Sequence, residues 1–246
     1  MAKLSWQVKT GIALVLSSLI VYIIHFVMFH DSHHILIYLF GDLGFLPLEV
    51  LLVSLIIHRL LSERERKARL VKLNMVIGAF FSETGYHLLT YFSDHDPGLD
   101  EIREILLIRA DWDDETFDEV SKRLMEYPYS LNPDEIDLKQ ITEYLLEKRN
   151  SLLRLLENPN LLEHESFTDL LMAVFHLTEE LEARIGQPKL PDTDLKHLTG
   201  DMERSYRHLV LKWISYMQHL KREYAYLFSL AMRTNPFDET AKVIVR

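Results

Sequence analysis

Apolar residues run without an acidic or basic side chain from 11 to 29 (GIALVLSSLIVYIIHFVMF), His25 being the one titratable group besides Tyr22. At ~1.5 Å of rise per residue a helix of this length crosses a hydrocarbon layer of ~30 Å. A second apolar stretch, 34 to 61 (HILIYLFGDLGFLPLEVLLVSLIIHRLL), reaches ~40 Å as one helix, with a kink expected at Pro47 near Gly41 and Gly44. The short polar link between them predicts a tight two-helix transmembrane hairpin occupying residues 1–61. The FHDSHH that follows the first run has no small-x-small cleavage site, so an uncleaved anchor is expected rather than a signal peptide.

A competing arrangement makes 34–40 a re-entrant helix, GDLGFL a filter-like loop and Leu48 onward the second span. The last piece is then only ~21 Å long, short of the hydrocarbon thickness. No backbone-carbonyl filter motif accompanies it.

Beyond Leu61 the pattern changes to helical stripes, and residues 62–246 read as an all-α cytosolic bundle. SERERKARLVKLN continues the second span as a polar helix, after which Leu73, Ile77, Phe80, Phe81, Leu88 and Tyr91 recur at helical spacing. DHDPG at 94–98 is a break. Helices are expected at about 99–109, 113–127, from Asp134 or Asp137 to Leu156, and 166–185, the last ended by Gly186. The longest is expected at about 194–234 without interruption, on a stripe from Leu195 through Met202, Tyr206, Leu209, Trp213, Tyr216, Leu220, Tyr224 and Leu227 to Ala231. The terminal AKVIVR reads as a tail or a short docking segment.

Charge then orients the chain. The 246 residues carry a net charge of −10. Residues 1–61 balance Lys3, Lys9 and Arg59 against Asp31, Asp42 and Glu49, so the excess lies wholly in the remainder. An acidic body repels a phosphate backbone, and no nucleic-acid partner is expected. Basic residues flank the outer ends of the hairpin: Lys3 and Lys9 before it, then Arg59, Arg64, Arg66, Lys67, Arg69 and Lys72. By the positive-inside rule both termini face the cytoplasm and residues 30–34 lie outside. Arg64, Arg66, Lys67 and Arg69 are also placed to lie against anionic lipid headgroups. Cysteine is absent, which excludes disulfides, thiol catalysis and Cys-based zinc sites.

Within the second span Asp42 and Glu49 need an account. Seven residues apart, they share one helical stripe, Glu49 near mid-span and Asp42 nearer the outer surface. A charged carboxylate facing lipid at that depth costs at least ~2.5–3.5 kcal/mol, so Glu49 should face a partner, water or an ion. The opposite part of the first helix offers Ser17, Ser18 and Tyr22, whose hydroxyls can bond a protonated carboxyl but cannot neutralise a carboxylate. Either a neutral Glu49 is packed inside a hairpin or oligomer, or a ring of Glu49 side chains lines a cation or proton path.

Outside the membrane, His30, Asp31, His33 and His34 form an HDSHH turn whose imidazoles and carboxylate are metal-ligand types, although adjacent histidines in a short turn seldom close around one ion. In the body, histidines stand one helical turn from carboxylates: Glu83 and His87, His176 with Glu179 and Glu180, His197 between Asp194 and Asp201, His219 and Glu223. With 12 histidines and about 15% Asp plus Glu, roughly seven such pairs arise by chance on helix geometry. Seven are present once Asp31 with His34 is counted, so local pairing is expected to mean solvated faces with local ion pairs.

The glycine-rich phosphate loop, G-x-S-x-G, H-E-x-x-H, the EF-hand loop and the kinase motifs are all missing from the sequence. Tyr216, Tyr224, Tyr226 and Phe228 are expected to be core. The sequence therefore predicts a homo-oligomeric, non-enzymatic protein of the cytoplasmic membrane without a cofactor, serving as an anchored interaction or sensing module. The partners expected are the bilayer, further copies of the chain and a cytosolic protein of unknown identity. An oligomeric cation or proton channel through Glu49 is the alternative.

Overall fold

Helical periodicity becomes helix along nearly the whole chain. A computed structural model describes residues 6–158, 161, 164–187 and 189–244, with Lys67 in its backbone only. Its elements are α1 (Trp6–Phe29), α2 (Ser32–Phe80), a π-helical turn (Phe81–Gly85), α3 (Tyr86–Asp94), α4 (Leu99–Leu106), α5 (Asp114–Glu126), α6 (Leu138–Leu156), α7 (Glu165–Glu182), α8 (Asp192–Glu223) and α9 (Ala225–Arg233). No strand occurs among the described residues. The chain divides into two units, Met1–Arg66 and Lys67–Arg246.

The first unit buries no described residue, and His25 and Ile35 alone are even half-buried there. Among the described residues two helices, one starting at Trp6 and one at Ser32, are long and apolar enough to cross a membrane. His30, at φ 50°, ends α1, and the Asp31 carboxylate accepts a hydrogen bond from His34 N at 3.0 Å as the cap of α2. GDLGFL is helical and α2 runs on through Pro47, so the re-entrant arrangement with a loop at that point is not what the backbone adopts.

In the second unit α8 is the centre: α3, α5, α7 and α9 pack on it, and α6 packs on α7. Capping follows side-chain chemistry, with Asp113 accepting from Thr116 N at the start of α5 and Asp137 from Lys139 N and Gln140 N at the start of α6. The DHDPG break is pinned from inside. Buried Asp96 accepts from Gly98 N at 2.9 Å and from the Tyr127 hydroxyl at 3.0 Å on each oxygen, and a Cβ at Gly98 would stand 2.5 Å from that hydroxyl.

Two expected helices are interrupted. The helix expected to run unbroken from the second span through Tyr91 opens into the π turn at Phe81. The extra residue lets adjacent Phe80 and Phe81 both reach the core, Phe80 edge-on to Phe167 at 5.6 Å and Phe81 stacked on Tyr216 at 5.4 Å. Gly85 closes that turn, where a Cβ would lie 2.5 Å from Phe81 Cδ1 and 3.0 Å from Phe80 Cε1. Gly85→Ala is therefore expected to destabilise by about 1–3 kcal/mol, since both rings are locked in the core. Gly200→Ala meets nothing within 4 Å on α8 and is expected to stabilise by about 0.5–1 kcal/mol. Paired thermal melts should show shifts of opposite sign.

The helix expected at 194–234 also breaks, at Tyr224 (φ −139°, ψ 66°), between α8 and α9. The break shifts the register, so Phe228 and Ala231 are buried and Leu227 is left exposed. Beyond α9, Asn235 Nδ2 donates to Leu106 O at 2.8 Å and Phe237 packs edge-on to Trp213, so the chain docks here before its tail.

Candidate functional site

The residues expected inside the second span lie on one helix. Asp42 and Glu49 share a stripe of α2, yet they and Ser17, Ser18 and Tyr22 are exposed, and no hydrogen bond or ion pair joins any of these five to a described residue. Arg64, Arg66 and Arg69 are exposed on the same helix, and the Lys67 side chain lies outside the described residues. In the HDSHH turn, Asp31 is engaged as a cap, and the hydrogen bond from His34 N holds its carboxyl below the usual carboxylate range. The His34 ring is stacked parallel to that of His25 at 6.1 Å and tilted against Tyr38 at 4.7 Å. The structure does not gather His30, Asp31, His33 and His34 into one ligand set.

Chemistry converges instead between α7 and α8. Each helix contributes a histidine and a carboxylate one turn apart, His176 and Glu180 on α7, His197 and Asp201 on α8, and the two pairs face each other. His197 Nε2 lies 3.5 Å from Glu180 Oε2 and 3.5 Å from Asp201 Oδ2. His176 Nε2 lies 3.6 Å from Asp201 Oδ2 and 3.9 Å from Glu180 Oε1. The imidazoles are half-exposed, at 45% and 52%, while the Asp201 side chain is 3% exposed.

Arginines fix both carboxylates from behind. Arg184 grips Asp194 through two hydrogen bonds of 2.7 Å and reaches Glu180 Oε2 at 2.6 Å, closing the turn between α7 and α8 in which Gly186 takes φ 84°. Its guanidinium holds the Glu180 and Asp194 carboxyls below the usual range. Arg204 pairs with Asp201 Oδ1 at 2.9 Å, whereas Asp201 Oδ2 is buried and has no hydrogen-bond partner.

The pairs His176 with Glu180 and His197 with Asp201 are legible in the sequence, where chance accounts for them. Their meeting is not, and the roles of Arg184 and Arg204 carry no local signal. The other two pairs named from spacing stay apart from this group: the His87 ring packs on Tyr144, centroids 3.9 Å apart, and the His219 ring contacts Tyr224.

The aromatic residues of α8 and α9 depart from the expectation of core. Phe228 is buried, but Tyr216 and Tyr224 are half-buried and Tyr226 exposed, all three lining an apolar groove of about 530 Å³ with Met75, Leu227 and Leu230.

Comparison with known proteins places the chain in a family. Two family models match the chain: "MJ1433, N-terminal helical domain" over residues 2–61, and "Uncharacterized protein MJ1433, C-terminal helical domain" over residues 69–233. A relative from Methanocaldococcus jannaschii, "Uncharacterized protein MJ1433", is 47% identical over 234 residues, which cover 95% of this chain and 94% of the relative. No solved structure matches. The chain thus belongs to the MJ1433 family.

Proposed function

We propose that this protein is a two-span hairpin protein of the cytoplasmic membrane, with both termini and the helical body in the cytosol, that self-associates and serves as an anchored interaction or sensing module. One observation carries the reading. Apolar side chains along α1 and along residues 32–61 of α2 are exposed, whereas the second unit buries a continuous apolar core of its own. Leaving a Val, Leu, Ile or Phe side chain in water forgoes about 1.5–3 kcal/mol, and such residues fill both helices. Lipid is the medium that covers them, with the basic residues after Leu61 held at the cytoplasmic headgroups.

The unpartnered stripe of Asp42 and Glu49 favours a second reading, in which several copies turn Glu49 inward around a conducting path. Two measurements separate the options. A cysteine replacing Ser32 should react with an impermeant maleimide only from the external side; labelling only from the cytoplasmic side overturns the topology. Proteoliposomes of the native chain should be silent to protons and cations if the module reading holds. Flux in the native chain that is lost in Glu49→Gln would establish the channel instead.

A further inference from the structure

We infer that His176, Glu180, His197 and Asp201 form a binding site for one divalent transition-metal ion, Zn²⁺ by the chemistry of the set, which staples α7 to α8. This goes beyond the membrane reading and does not depend on it.

Spacing is the first argument. Ligand atoms of Glu180, His197 and Asp201 lie within 4.8 Å of one another, and His176 Nε2 stands at the edge of that trio, 3.6 Å from Asp201 Oδ2. A tetrahedral ion with bonds of about 2.0–2.1 Å places its ligands on edges of about 3.3–3.4 Å. From the imidazole nitrogens to the oxygens that the arginines leave free, the separations are 3.5 and 3.6 Å to Asp201 Oδ2 and 3.9 Å to Glu180 Oε1. Small side-chain rotations close that gap. The same separations are long for hydrogen bonds, so the imidazoles and carboxylates converge without satisfying one another.

Asp201 is the second and independent argument. A carboxylate this deeply buried bears a desolvation cost of several kcal/mol, which the interior repays only with good partners. Arg204 occupies Oδ1, yet Oδ2 points into the cluster with no hydrogen-bond partner. A cation at that point supplies the missing partner. Arg184 on Glu180 Oε2 and Arg204 on Asp201 Oδ1 then act as outer supports that orient the ligands and leave Oε1 and Oδ2 for the ion.

Donor type is the third argument. Two imidazoles and two carboxylates, without a thiolate, suit borderline first-row ions, Zn²⁺ among them. With His176 turned in beside the trio, four protein ligands would close the site as in structural zinc sites.

The test uses untagged full-length protein in detergent, stripped with a chelator and titrated calorimetrically with ZnCl₂ near neutral pH. The native chain should take up one Zn²⁺ per chain and its melting temperature should rise with the metal. Asp201→Asn, which keeps the buried shape, and the double variant His176→Gln/His197→Gln, at half-exposed positions, should each bind at least about 100-fold more weakly, above the effect typical of an outer-shell partner. Circular dichroism identical to native shows that each variant has folded. A triple variant His30→Ala/His33→Ala/His34→Ala separates the other histidine cluster and should keep one Zn²⁺. Absence of binding in the native chain, or binding lost in the triple variant and kept in the double one, overturns the site. The convergence is then a contact between histidines and carboxylates alone.

Discussion

Trp213→Ala is expected to lower the stability of the second unit by about 3–5 kcal/mol, the range for deleting a fully buried large aromatic side chain. Trp213 has no exposed surface and lies on α8, the helix against which α3, α5, α7 and α9 all pack. Its ring also meets Phe237 edge-on at 5.1 Å, so the cavity reaches the segment that docks the end of the chain. The surrounding helices are tied to one another through α8 and can relax only in part, which puts the cost toward the upper half of that range. At about 2–4 °C per kcal/mol for a unit of this size, the melting temperature should fall by on the order of 10 °C. Thermal melts followed by far-UV circular dichroism check it, and a shift under a few degrees would deny α8 its central place.

A larger surprise should come from Lys212→Met, which is expected to stabilise. Lys212 is 5% exposed, and burial pushes its ammonium down to about 8. Among the described residues its hydrogen-bond partners are Ser166 Oγ at 3.2 Å and His164 Nδ1 at 3.4 Å, neither a fixed negative charge. The His164 imidazole is itself held below its usual range, first by burial and then by Lys212. The sign follows from proton counting. Between about 8 and the unfolded value near 10.4 the unfolded chain holds more protons than the folded one, so stability rises with pH through that window. Below it both states carry the proton and the full penalty applies, on the order of 3 kcal/mol at about 1.4 kcal/mol per unit. Met keeps the apolar stem and gives up the two polar contacts, leaving a net gain of about 1–3 kcal/mol at pH 7. Denaturation of both proteins from pH 7 to 10 checks this: the gap should close as pH rises, and a gap independent of pH refutes the assignment.

Neither effect is visible along the chain. Trp213 falls on the stripe that marks the long helix, but that stripe cannot say how many helices lean on it. Lys212 sits next to Trp213, and a lysine there reads as a flank that reaches water. What buries it is the start of α7, through His164, Ser166 and Phe167, whose approach has no local signature.

Elements set by neighbouring residues were legible. The cap at Asp137, one of two candidates with Asp134, the break at 94–98 and the turn at Gly186 depend on side chains and dihedrals within a few residues, so their chemistry can be read where it stands. The interruptions at Phe81 and Tyr224 were not, because both regular and broken helix satisfy the apolar spacing. Packing chose the broken form, which brings Phe80, Phe81 and Phe228 inward together.

By itself, then, the sequence determined two helices apolar enough for lipid, an acidic all-helical body, and a histidine one turn from a carboxylate on each of α7 and α8. Those are consequences of composition and of a period of 3.6 residues. Tertiary structure decided that the two pairs look at each other. Side chains one turn apart share a face whatever the fold, but which face meets which depends on how the apolar stripes of α7 and α8 rotate the helices into contact, and on the Arg184 clamp across their turn. A chance count over single helices weighs each pair alone, and it is their convergence on the unpartnered oxygen of Asp201 that makes them a site.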